Sequence, residues 1–192
     1  MNTRSLRRVI CLTVMALVPV LAQAHPGHSL GLGFYAGLLH PWSGLDHLLA
    51  MLAVGIWAAQ LGGRMSWALP ACFVMLMLVG AGLGFVDVEV GAVEQGLAAS
   101  VLILGVLIAS NTRAPLSLSM LLTGCFAIFH GYAHGAEMPV QSSPLSYLSG
   151  FVLSTSCLHL IGLTVGERLT NKVALRWAGA VIGLSGVCML VV

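Results

Sequence analysis

Six stretches of this chain, residues 44–61, 66–85, 92–110, 115–134, 145–165 and 173–191, are almost uninterrupted apolar sequence. Each is long enough to cross a hydrocarbon layer about 30 Å thick as a helix rising about 1.5 Å per residue. Water is a poor solvent for such a chain. Of its 192 residues 58% are hydrophobic and 7% charged, where ordinary soluble domains carry about 25% charged residues. The expected fold is all-α, a polytopic bundle of six transmembrane helices. A formal net charge of +2, with no basic run after the first eight residues, excludes nucleic acid as a partner.

Residues 1–24 read as a cleaved signal peptide. Arg4, Arg7 and Arg8 precede a short apolar run over 9–20 that Pro19 interrupts, and Ala22-Gln23-Ala24 supplies the small-x-small cleavage pattern. Cleavage before His25 leaves residues 25–192 as one transmembrane domain. It also exposes His25-Pro26-Gly27-His28, whose terminal amine and imidazole can chelate a scarce ion. Cys72, Cys125, Cys157 and Cys188 remain, all within apolar segments and without a C-x-x-C pair. They are expected to be small buried hydrophobes rather than a zinc or redox site.

Lys and Arg gather on the cytoplasmic side of membrane proteins, which orients the spans. With an external mature N-terminus and six crossings, Arg64, Arg113, Arg168, Lys172 and Arg176 all fall inside, while Asp87, Glu89 and Glu137 fall outside. A seventh apolar piece, residues 30–39, is too short to span, and counting it as a crossing would invert every one of these charges. It is expected to be re-entrant or interfacial on the external face. The glycine faces at Gly80, Gly82 and Gly84 and at Gly179 and Gly183 suit close helix packing inside one bundle.

Ionisable groups at membrane depth are costly, about 2.5 to 3.5 kcal/mol for a centred Asp, so each is a functional hypothesis. Two groups stand out. In His40-Pro41-Trp42-Ser43-Gly44-Leu45-Asp46-His47, Pro41 disfavours helix at His40 and Gly44 permits a turn. The backbone should break there, with Ser43 capping a helix whose first turn holds Asp46 and His47. Broken helix ends lining a cavity are common ion sites in transporters. In Phe129-His130-Gly131-Tyr132-Ala133-His134-Gly135-Ala136-Glu137, positions 130, 134 and 137 share one helix face. The arginine-based orientation puts both groups near the external face, where they can converge on one ion. Imidazole with carboxylate and no thiolate suits nickel, cobalt or zinc rather than copper(I), an iron–sulfur centre, calcium or magnesium. His159 lies about 20 Å deeper along the fifth span, as a further ligand or a packing residue. Glu94 either balances charge near the site or favours a helix N-terminus.

With these residues in view, the chain resembles the HupE/UreJ family of nickel permeases. The first motif matches the family's H-P-x-x-G-x-D-H signature, the second its F-H-G-x-A-H-G-x-E pattern, and Val93-Glu94-Gln95-Gly96 leading into Ser100 resembles its middle helix. The likeness covers nearly all of the mature chain. It implies a permease in the bacterial inner membrane, and the charge-based orientation then puts both mature termini in the periplasm. The transported substrate is nickel, or cobalt, supplied to hydrogenase or urease, and no organic cofactor is implied. It also implies metal contacts at His40, Asp46, His47, His130, His134 and Glu137.

The chain lacks a G-x-x-x-x-G-K-[ST] loop, so the membrane potential is the expected driving force. A divalent cation moving inward gains about 4.6 kcal/mol per 100 mV. Two other functions compete. Gly183-Leu184-Ser185-Gly186 resembles an intramembrane hydrolase motif, yet no histidine follows Ser185. Paired histidines could also hold haem in an electron-transfer subunit, which the adjacent carboxylates fit poorly.

Overall fold

Apolar side chains run round all sides of most segments, so propensity and burial both favour helix and no backbone group is left to the lipid. The computed structural model describes residues 30–86, 88–169 and 171–191. The expected signal peptide and the His25-Pro26-Gly27-His28 terminus lie outside the described residues. Seven helices follow in order: α1 (Leu30–Ser43), α2 (Leu45–Leu61), α3 (Met65–Phe85), α4 (Val93–Ala109), α5 (Leu116–Ala136), α6 (Pro144–Arg168) and α7 (Lys172–Val191). All regular structure among the described residues is helical.

Four of these, α3, α5, α6 and α7, are long and apolar enough to cross a membrane. The pair α1 and α2 passes the same test only when taken together, across a bend of 80°. At 17 residues α4 falls short, reaching about 26 Å. It is shorter than expected because Ala92, at φ 57°, turns the chain before its first residue and Ser110 ends it.

The break between α1 and α2 departs from expectation. Helix α1 runs through Pro41 to Ser43, and the kink falls at Gly44, which is extended at φ −99°, ψ 120°. Pro41 sits in the last turn, where its missing N–H leaves the Gly37 carbonyl without its ladder partner but only two helical residues follow. Ser43 is therefore not the cap of α2. Its hydroxyl donates to the His40 carbonyl at 2.7 Å, closing α1, and Gly44 takes the N-cap position of α2 without a side chain to offer.

Glycine sets the spacing of the bundle. A Cβ on Gly131 would strike the backbone of Met77, and one on Gly135 the backbone of Ala81, so α5 lies directly against α3. The two run in the same direction, with Cys72 beside Met120 at one end and Gly84 beside Tyr132 at the other. Gly105 of α4 meets Gly179 and Gly183 of α7 in the same way, whereas Gly82 faces open space. Helix α1 is seated on α6 through Gly37 and Gly150.

The core centres on Met51, Trp57, Phe73, Met77, Leu104, Tyr147, Phe151 and Leu158. The cysteines do not join it: Cys125, Cys157 and Cys188 are exposed and Cys72 is half-buried. In a bilayer the outside of a bundle is as apolar as its inside, so an apolar setting in sequence does not imply burial.

Candidate metal centre

The 80° bend at Gly44 sets the end of α1 beside the start of α2, and the tight α3–α5 contact fixes the depth of the last turns of α5. Three chain segments thus meet. His40 comes from α1, Asp46 and His47 from the first turn of α2, and His130 and His134 from α5, with Glu137 at the residue closing α5. The structure brings all six residues singled out in the sequence into one cluster.

His40, His47 and His134 form its centre, each offering one nitrogen, all within 4.8 Å of one another. The ring centroid of His134 lies 4.7 Å from that of His40 and 4.4 Å from that of His47. His130 stands one layer deeper, 4.9 Å from His47. Two nitrogens bound to one ion at about 2.1 Å each are at most about 4.2 Å apart, so small ring rotations would close the set.

The carboxylates and one hydroxyl act on the imidazoles. His47 Nδ1 donates to Asp46 Oδ1 at 2.9 Å, and His40 Nε2 to Glu137 Oε2 at 3.0 Å. Ser100 gives its single proton to the Leu97 carbonyl at 2.6 Å and therefore accepts from His130 Nε2 at 2.8 Å. In each case one ring nitrogen is protonated and pinned, leaving the other as a lone pair. Nε2 of His47, Nδ1 of His130 and both nitrogens of His134 are buried without a hydrogen-bond partner. Pinning by a carboxylate is how metal-ligating imidazoles are commonly oriented. The Glu137 carboxyl is held below its ordinary value by the hydrogen bond from His40, against the opposing effect of its partial burial.

Several supports had no local signal in sequence. Phe151 of α6 stacks under His134 at 4.7 Å and 18°, and Phe73 of α3 flanks His130 at 5.8 Å. Trp42 donates from Nε1 to Ser154 Oγ at 2.7 Å, 112 residues away, tying the end of α1 to α6. Ser100 has no signal of its own in sequence apart from the family resemblance. Glu94 is exposed and, with Asp46, lines a cavity of about 230 Å³ beside the cluster. His159 lies outside the three-imidazole centre, edge-on to Phe73 at 5.1 Å.

The pattern of HupE / UreJ proteins matches residues 12–189. Protein HupE of Rhizobium leguminosarum bv. viciae is 40% identical over 186 residues, covering 95% of this chain and 97% of that protein. The chain belongs to the HupE/UreJ family. No solved structure matches it. HupE/UreJ proteins are a metal permease family rather than enzymes. Consistently, Ser185 of this HupE/UreJ chain donates to its own helix at the Val181 carbonyl. The clustered imidazoles also touch one another, leaving no slot for a haem macrocycle between them.

Proposed function

We propose that this chain imports a divalent transition metal, nickel or cobalt, across the bacterial inner membrane to supply hydrogenase or urease. The observation that carries this reading is the convergence of His40, His47 and His134 to within 4.8 Å. These three imidazoles take the ion. Asp46 and Glu137 hold two of them from behind and offset the ion's charge at short range, and His130 receives it next.

A cleaved signal peptide over residues 1–24 and six crossings complete the reading, with α1 re-entrant, α4 as a short span and both mature termini periplasmic. The exclusive placement of Arg64, Arg113, Arg168 and Lys172 at one end of the bundle supports this orientation. The cluster then opens outward, and the membrane potential drives the cation in.

Radioactive nickel uptake is the direct test. At equal membrane levels, His47→Ala and His134→Ala should each lower uptake at least about tenfold. Normal uptake in both would refute the reading. Competition by cobalt, zinc and copper ranks the metals.

A further inference from the structure

At the end of the bundle opposite the imidazoles lies another cavity, also of about 230 Å³, lined by Gln60, Ser110, Asn111, Lys172, Leu175 and Arg176. Three helices build it. Gln60 lies in the last turn of α2, whose first turn holds Asp46 and His47. Ser110 closes α4, and Lys172 and Arg176 stand one turn apart on one face at the start of α7. All the lining residues but Leu175 are polar, and both charged ones are cations.

The surrounding backbone does not use up these cations. Where α4 ends, the Val106, Leu107 and Ile108 carbonyls accept from the amides of Ser110, Thr112 and Asn111, and Gln60 Nε2 adds a second bond to Ile108 at 3.2 Å. The Ala109 carbonyl accepts from Arg176 Nε at 3.2 Å, which fixes that guanidinium and leaves its two terminal nitrogens over. Among the described residues no hydrogen bond or ion pair engages those nitrogens or Lys172 Nζ, and the ion pairs present belong to the imidazole cluster. Gln60 Oε1 is buried without a donor. Like charges one turn apart on a helix repel, and an anion between them removes that cost.

Trp177, beside Arg176, is 69% exposed, in the manner of tryptophans that mark the level of lipid headgroups. We propose that this cavity binds the phosphodiester headgroup of an anionic membrane lipid, with Lys172 and Arg176 on the phosphate oxygens and Gln60 Oε1 accepting from a headgroup hydroxyl. Phosphatidylglycerol carries both groups. Basic pockets between membrane helices hold such headgroups, and one seated here ties α2, α4 and α7 together while neutralising two cations that otherwise repel. Inorganic phosphate shares the anionic chemistry, but only the lipid adds the hydroxyl and the tails that keep it at this depth. The site is separate from the metal centre, so nickel uptake plays no part in its test.

The full-length chain, purified in a neutral detergent and stripped of lipid, would be titrated with phosphatidylglycerol, phosphatidylcholine or inorganic phosphate while its melting temperature is followed. Phosphatidylglycerol should raise it saturably, and the other two at the same concentration should not. Replacing Lys172→Gln together with Arg176→Gln should raise the half-saturating lipid concentration roughly tenfold or more. Replacing Arg64→Gln together with Arg168→Gln removes the same charge from the same end but off the cavity, and should leave that concentration unchanged. Equal weakening in both pairs would reduce the effect to the charge of that face and overturn the site. An equal response to inorganic phosphate would overturn the lipid as occupant, and no response to phosphatidylglycerol would overturn the whole proposal. If losing the Arg176 bond to α4 prevents the first pair from folding, Lys172→Glu alone decides: the same tenfold loss is expected, and an unchanged half-saturating concentration overturns the site.

Discussion

An imidazole ligates a metal only through a nitrogen free of its proton, and here the neighbours make that choice. Asp46 accepts a hydrogen bond from His47 Nδ1, Glu137 from His40 Nε2, and Ser100 from His130 Nε2. Asp46→Asn keeps the size but weakens the acceptor. It should raise the half-saturating nickel concentration about ten- to a hundredfold without lowering membrane levels, as read from uptake curves and immunoblots. The Glu137 contact carries a pH signature. Its carboxyl is depressed from 4.5 in the folded chain, so the stabilisation is complete above that value and is lost as pH falls through the lowered one. The side chain is 59% exposed, so the effect is small. Melting temperatures of wild type and Glu137→Gln should differ slightly at pH 6 and converge in acid. A gap that persisted at low pH would show that Glu137 acts through packing instead.

At the scale of elements, each of the two α5 histidines is followed by a glycine, and the pairing has a mechanical reading. His130 and His134 face the cluster while Gly131 and Gly135 let α5 lie against the backbone of α3. Gly131→Ala drives a methyl into Met77, with overpacking worth about 1–3 kcal/mol. It should lower the melting temperature of the purified chain and reduce uptake together, whereas Gly82→Ala, facing open space, should change neither. The sequence made much of this legible. Apolar length located the helices to within a few residues, and i, i+4 spacing put His130 and His134 on one face. The exact kink was not legible: a proline three residues before a glycine offers two places to break, and the choice of Gly44 depends on α1 docking onto α6. The hydrogen bond from Trp42 to Ser154 is that docking, and contacts across 112 residues leave no trace in local spacing.

At the scale of the molecule, charge tells most about orientation and least about packing. The Lys and Arg residues of the described chain sit at or near one end of the helices, so reporter fusions after Arg64, Arg113 and Arg168 should report the cytoplasm and a fusion at Val140 the periplasm. A fusion pattern shifted by one crossing would return α1 to the count of spans. Exposure of Cys125, Cys157 and Cys188 could not be read from sequence, because lipid makes no demand that separates outside from inside. The pinned imidazole protons carry one more implication. Asp46 and Glu137 already hold the His47 and His40 protons pointing away from the centre, so under the proposed import an ion taken by the opposite nitrogens displaces no proton from these two rings and carries its two positive charges uncompensated. Import on that reading is electrogenic: dissipating the voltage with valinomycin and potassium should halt it, and abolishing only the acidity difference with nigericin should leave it running.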